Sequence, residues 1–227
     1  MQRESIGRTD TDQVLLIDSV EGAYLYEYGT RVLNVIVAAA VLVVALPLLA
    51  VLVMLICVDS PGAPIFRQRR LGVGGKPFWF YKLRTMYADA QQRFPELYRY
   101  CYEEAELATL QFKTPHDPRL TRVGSWLRRT SLDELPNFIN VLKGDMNLVG
   151  PRPEIPEMLQ YYRPDQLLKW SVRPGVTGLA QVYGRAYLAF QETIAYDLQY
   201  VRQRSFSIDL KILALTFWKV IRGVGAF

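Results

Sequence analysis

From Val32 to Val58 the chain runs for 27 residues without a charge, and Asn34 is the only clearly polar side chain among them. About 20 such residues carry a helix across a bilayer core, so the stretch is long enough for a membrane segment. A helix in the core of a globular domain is usually shorter and amphipathic, with a polar face that this stretch lacks. A secretory signal does not match either, because the run is too long for an h-region and begins 31 residues in, behind an acidic leader. The sequence reads as that of a membrane protein.

Pro47 stands near the middle of the apolar run. It has no N–H to offer the carbonyl of Val43, and its ring bends a helix there. Two topologies follow: a kinked helix that still crosses, or a re-entrant hairpin with both ends on one side. Residues 1–58 hold three arginines and six acids, net −3, which leaves +8 on the rest of a chain whose total is +5. Between Pro64 and Arg84 stand Arg67, Arg69, Arg70, Lys76, Lys82 and Arg84, with no acid. Counting basic residues places this side in the cytoplasm. Charge alone leans weakly towards crossing, and both topologies stay open.

Composition narrows the chemistry. Two cysteines, Cys57 and Cys101, exclude a disulfide scaffold and a four-cysteine zinc site. A single histidine, His116, between two prolines, reads as polar surface and rules out multi-histidine metal centres. Carboxylates, hydroxyls, lysines and arginines must do the work. The basic surplus suits nucleic acid or an anionic surface in general. Directly after a membrane segment, lipid headgroups and phosphorylated substrates are the nearer partners. In Ser207–Phe227 a helical wheel gathers Lys211, Lys219 and Arg222 within an arc of about 80°. That pattern fits a helix lying in the membrane interface, or an ordinary core-packed terminal helix.

Ile65–Arg70, a turn with Gly72, Gly74 and Gly75, and Phe78–Arg84 read as strand, turn and strand. The two-residue period puts Phe78, Phe80, Lys82 and Arg84 on one face. Two neighbouring cations suit an anion between them, or are simply solvated on an edge strand. Residues Ala88–Phe112 are polar and helix-friendly, a surface helix with Pro95 in an early turn. In Asp117–Pro153, Arg119, Arg122, Arg128 and Arg129 precede Thr130-Ser131-Leu132-Asp133-Glu134. Ser131-x-x-Glu134 satisfies a capping box, which would make Asp133 and Glu134 a helix start. The arginines shift the weight: carboxylates among cations stay ionised, ready to attack an electrophile or hold a metal. A phosphate ester requires such cations or a divalent ion to meet a carboxylate at all. Val172–Gly184 reads as a Gly-rich loop, with Arg173 and Thr177, suited to a phosphate or nucleotide.

The strings FYKLRTM, DPRLTRVGSWLRRTSLDELPNFINVLKGDMNLVGPRP and RPGVTGLAQVYGR resemble the bacterial sugar transferases. These are monotopic polyprenyl-phosphate phosphoglycosyl transferases, and the resemblance runs from about Gly29 to Arg222. It implies transfer of a sugar 1-phosphate from a UDP-sugar to polyprenyl (undecaprenyl) phosphate, with release of UMP, to start bacterial glycan assembly. Asp133 would be the nucleophile, forming an aspartyl-phosphosugar intermediate, and Asp133 and Glu134 would hold Mg²⁺. By matching motifs, Lys82, Arg128, Arg152 and Asp197 would line the nucleotide or phosphate pocket. Arg84 and Arg173 join them as substrate-binding candidates, from the strand face and the Gly-rich loop.

The implied fold is α+β and mostly helical. A leader (1–28) precedes a re-entrant helix-break-helix hairpin (29–60), broken near Pro47, where Ala45-Leu46 replaces the family's usual serine. A cytosolic catalytic domain (61–227) follows, with a short β-hairpin and interfacial amphipathic helices. The implied place is the cytoplasmic face of the bacterial inner membrane. The implied partners are donor, acceptor and membrane lipid, without nucleic acid, and with a homo-oligomer left open. The rival reading is a membrane-tethered basic module that binds anionic lipid or nucleic acid in a salt-dependent way. No residue here selects the sugar.

Overall fold

One helix, α1 (Asp10–Asp59), takes up the whole apolar stretch in the computed structural model, with Pro47 inside it. The structure describes residues 10–111, 117–184 and 188–222, with the backbone alone for residues 10–24 and 221. His116 lies outside the described residues. The chain is helical on both sides of Pro47, so the expected break into two separate helices is not seen. An interior proline withdraws one N–H and crowds one carbonyl, a local cost of about 3 kcal/mol, and apolar helices tolerate it. Leu25–Asp59 has a mean hydropathy of 3.3 in its most apolar window, of which only 17% is buried. That exposure argues against a core helix. Val43, Val44, Leu46 and Met54 face outwards, while Asn34, Ala38, Leu52 and Ile56 face the globular part.

The helix docks on that globular part at both flanks of Pro47. On the N-terminal flank Tyr26 donates to Asp209, Arg31 to the carbonyls of Val141 and Leu142, and Asn34 accepts from Leu148 N–H. On the C-terminal flank Leu52 and Ile56 pack with Leu83 and Leu127, and Asp59 accepts from Val123 N–H.

β1 (Ile65–Leu71) and β2 (Pro77–Leu83) pair antiparallel, with Phe66 opposite Lys82 and Arg70 opposite Phe78. Gly74 and Gly75 take φ of +64° and +72° in the turn, a region that side chains disfavour. The outer edge of β2 is closed by a side chain: Asn140 accepts from Tyr81 N–H and donates to Trp79 C=O.

The polar stretch that reads as one surface helix is instead α2 (Ala90–Arg93), a 3₁₀ turn (Pro95–Tyr98) and α3 (Glu104–Leu107). Pro95 forces Phe94 out of the helical region (φ −134°, ψ 60°), which ends α2. α4 (Arg122–Thr130) starts on Thr121, whose hydroxyl accepts from Gly124 N–H. Gly124 itself lies so close to Thr85 that a Cβ would stand 1.9 Å from the Thr85 carbonyl oxygen. α5 (Asn137–Lys143) follows, and β3 (Asn147–Val149) pairs in parallel with β4 (Gly175–Thr177).

Two 3₁₀ stretches, Pro156–Tyr161 and Pro164–Ser171, connect β3 to β4. Val172–Gly184, expected as a loop, therefore contains β4 and α6 (Leu179–Tyr183). The hydrogen bonds that make β4 a strand come from a distant segment: Asn147 donates to Pro174 C=O and Gly150 to Thr177 C=O. α7 (Phe190–Gln203) and α8 (Phe206–Arg222) complete the domain. On α8, Asp209 and Ile212 are buried while Leu210, Phe217 and Trp218 are exposed. Lys219 turns inward to the Val182 carbonyl, and Arg222 stacks on Trp218 at 3.9 Å.

Candidate active site

The Asp-Glu pair sits in a 3₁₀ turn, Leu132–Glu134, directly after α4. Ser131 does not begin a helix with a capping box. It takes a left-handed conformation (φ +59°) and its N–H closes on the Arg128 and Leu127 carbonyls, ending α4. A non-glycine residue in that region costs about 1–2 kcal/mol. The abrupt turn directs Asp133 inward, to 5% exposure.

Three elements bring cations to the pair. β2 delivers Lys82, whose Nζ lies 4.0 Å from Asp133 Oδ2. The segment after β3 delivers Arg152, 3.9 Å from Glu134 Oε1. The last turn of α4 delivers Arg128, whose Nε donates to Thr85 Oγ1 at 3.2 Å and whose guanidinium lies 3.6 Å from Asp117. Burial lowers the pKa of Lys82, against the opposing charges of Glu134 and Asp133. Burial likewise lowers that of Arg128, opposed by Asp133 and Asp117. Cations held in so dry a place favour further negative charge beside them.

Behind this cluster Arg119 grips Asp117 through two contacts of 2.8 Å. Burial pushes the Asp117 carboxyl up, but the hydrogen bonds and charge of Arg119, then the charge of Arg128, bring it below its ordinary value. Asn137, fully buried, donates its amide to Glu134 Oε2. Sequence reasoning did not single out Asn137, Asp117 or Thr85. Asn137 had a readable signal, since it falls three residues after Glu134 at the start of a helix. Thr85 had none, because its contact with Arg128 spans 43 positions.

The structure thus gathers Lys82, Arg128, Asp133, Glu134 and Arg152. It places the other three candidates elsewhere. Arg84, which follows the end of β2, donates to the carbonyls of Ile56, Ser60 and Pro61 and closes the C-terminal end of α1. Arg173 donates to Gly144 C=O and lies 3.9 Å from Glu27, lining a cleft of about 500 Å³ with Lys76, Phe78 and Asp145. Asp197 is wholly buried, 3.0 Å from Lys169 Nζ.

A family model described as bacterial sugar transferase matches residues 25–223. The chain belongs to this family. Among its relatives, Galactosyl transferase CpsE of Streptococcus agalactiae is 43% identical over 73% of this chain and 36% of its own length. The UDP-glucose:undecaprenyl-phosphate glucose-1-phosphate transferase of Escherichia coli is 37% identical over 83% of this chain and 39% of its own length. A protein of the same name from Caulobacter vibrioides is 40% identical over 82% of this chain and 67% of its own. The chain therefore spans about two fifths of the first two.

The last two of these relatives are named for UDP-glucose, a diphosphate of the kind a divalent ion commonly accompanies. Among the described residues no group of three acidic, histidine or cysteine side chains is assembled. Asp133 and Glu134 offer two carboxylates, and Mg²⁺ is usually held by one or two, with the remaining positions filled by water and substrate phosphate oxygens. The residues fit such an ion.

Proposed function

We propose that this chain transfers a sugar 1-phosphate from a UDP-sugar to polyprenyl phosphate, through a phosphosugar ester on Asp133. The observation that carries the reading is the setting of Asp133: an inward-turned carboxylate with Lys82 beside it and Arg128 and Arg152 delivered from two further elements. In the first step an Asp133 oxygen bonds to the β-phosphorus of the donor and the bond from that phosphorus to the bridging oxygen breaks. UMP leaves with the bridging oxygen and its electron pair. In the second step an oxygen of the lipid phosphate bonds to the same phosphorus and Asp133 departs as a free carboxylate. One pocket thereby serves a water-soluble donor and a lipid acceptor in turn.

Lys82 keeps the nucleophile ionised and offsets the equatorial oxygens as they gather charge. Arg152 and Arg128 neutralise the diphosphate from the other sides. Asn137 and Arg152 fix Glu134, which with Asp133 would hold Mg²⁺; when bound, that ion would supply positive charge to the donor's phosphates.

For the membrane we propose that both flanks of the apolar segment lie on the cytoplasmic side of the inner membrane. Support comes from the contacts of residues 26–34 and 52–59 with one globular domain, between which no bilayer core fits. Ala38 packs into the same core, so the first docked flank reaches residue 38 and residues 39–51 lie between the flanks, about 20 Å of helix against a core of about 30 Å.

The test is UMP release from a panel of UDP-sugars by the purified protein with polyprenyl phosphate. Asp133→Asn serves as the control. At least one UDP-sugar is turned over by the wild type, and the variant falls by about a thousandfold or more. Release that survives in Asp133→Asn at the wild-type rate would overturn the nucleophile.

A further inference from the structure

Arg152 owes its place to a turn whose other three residues, Pro151, Pro153 and Glu154, are each held by a hydrogen bond. Gly175 N–H donates to Pro151 C=O (2.9 Å), Arg70 to Pro153 C=O (3.1 Å) and Leu71 N–H to Glu154 C=O (2.8 Å). Burial raises the pKa of the Asp197 carboxyl, opposed by Lys169 and, less, by the nearby backbone N–H of Arg152. Asp197 in turn lies 3.0 Å from Lys169 Nζ, and these side chains are 0% and 2% exposed. Lys169 donates to Tyr162 Oη (3.0 Å), and Tyr162 donates to Glu154 Oε2 (3.2 Å). The buried chain Asp197–Lys169–Tyr162–Glu154 therefore leaves the turn at Arg152 and rejoins it two residues later. Trp170 and Phe190 pack around the Tyr162 ring, with centroids at 4.6 and 5.3 Å.

A buried ion pair is a poor source of stability, since well-packed apolar residues of similar volume commonly serve as well or better. What a buried pair does supply is direction, because each charge must be met from a fixed side. Here Lys169 meets Asp197 on one side, and the Arg152 backbone lies close by on another. We propose that Lys169, Asp197 and Tyr162 are positioning residues that set the 151–154 turn so that the Arg152 guanidinium stands at Glu134. This inference rests on the reaction proposed above, and it gives Asp197 a role one layer behind the substrate instead of in contact with it.

Removing either charge of the pair would strand the other, so the variant to use is Tyr162→Phe, which deletes one hydroxyl and keeps the ring packing. In the purified full chain, kcat for UMP release falls about tenfold, as misplacement of a group remote from the reacting atoms does. Donor KM stays within about twofold, and the thermal midpoint falls by several degrees at most, from the one hydroxyl that Lys169 and Glu154 shared. Amide exchange quickens in residues 150–155 and not in α4. In an Arg152→Ala background the same substitution adds no further loss, because its effect passes through Arg152. Wild-type kcat in Tyr162→Phe, or an undiminished loss in the Arg152→Ala background, would overturn the inference. A wild-type chain that releases no UMP would instead defeat the proposed reaction. The exchange at residues 150–155 would then still report whether this network holds the turn, and unchanged exchange would overturn the inference on its own.

Discussion

Lys82 Nζ lies 4.0 Å from Asp133 Oδ2, with 15% and 7% of the two side chains exposed. A lysine in so dry a site is easier to deprotonate than one in water. Its pKa stands below the ordinary 10.5, with burial the largest cause. The protonated form is the one that can offset phosphate charge, and it is lost as pH rises through the lowered value. The basic limb of kcat/KM should therefore fall at a pH below 10.5, and Lys82→Arg should move that limb upward while keeping part of the activity. Lys82→Met should lose about a hundredfold at neutral pH. A basic limb unchanged by Lys82→Arg would contradict this role.

Arg84 provides a contrast two residues further along the chain. Its guanidinium is occupied by the carbonyls of Ile56, Ser60 and Pro61. Arg84→Gln should cost about 2–3 kcal/mol in unfolding free energy, from several charge-assisted hydrogen bonds to buried acceptors. Donor KM measured on the folded fraction should stay within about twofold of wild type. A large rise in KM with unchanged stability would return Arg84 to the substrate.

Asp117 is the buried counter-charge of Arg119 and Arg128. Asp117→Asn should destabilise the domain by about 2 kcal/mol at neutral pH, less than the loss of a fully enclosed pair because the arginines reach solvent. Its carboxyl titrates below 3.8 in the folded protein, so the stabilisation is complete above 3.8 and fades as pH falls through the lower folded value. Thermal midpoints of wild type and variant should converge on acidification. A constant gap down to the lowest accessible pH would count against the ion pair as its source.

Much of this arrangement could be read from the residues alone. The apolar run, the glycine turn and the alternation of Phe78, Phe80 and Lys82 announced α1 and the β-hairpin, because each signal is local. The Asp-Glu pair stood out among its arginines for the same reason. Alternation failed one step later: β2 ends at Leu83, so Arg84 leaves the face that Lys82 occupies. The Ser131-x-x-Glu134 spacing also misled, since Ser131 spends its N–H on closing α4 and turns left-handed. Pairings such as Lys169 with Asp197, or β3 with β4, join distant segments and leave no periodicity in the sequence.

Topology can be tested at Tyr28, which is 74% exposed and precedes the apolar run. Cys57 and Cys101 are both exposed and would be changed to serine first. In intact cells, Tyr28→Cys should resist a membrane-impermeant maleimide and react only after the inner membrane is opened. Labelling from outside would mean that the segment crosses.

The most direct measurement concerns Asp133 itself. The purified protein is incubated with its UDP-sugar donor and no lipid acceptor, quenched in acid, digested and analysed by mass spectrometry. The account predicts a peptide carrying the mass of the sugar phosphate on Asp133, formed with an equivalent of UMP and discharged when polyprenyl phosphate is added. Turnover with acceptor present, but no adduct and no UMP burst in its absence, would mean direct transfer between the two substrates and would contradict the covalent route.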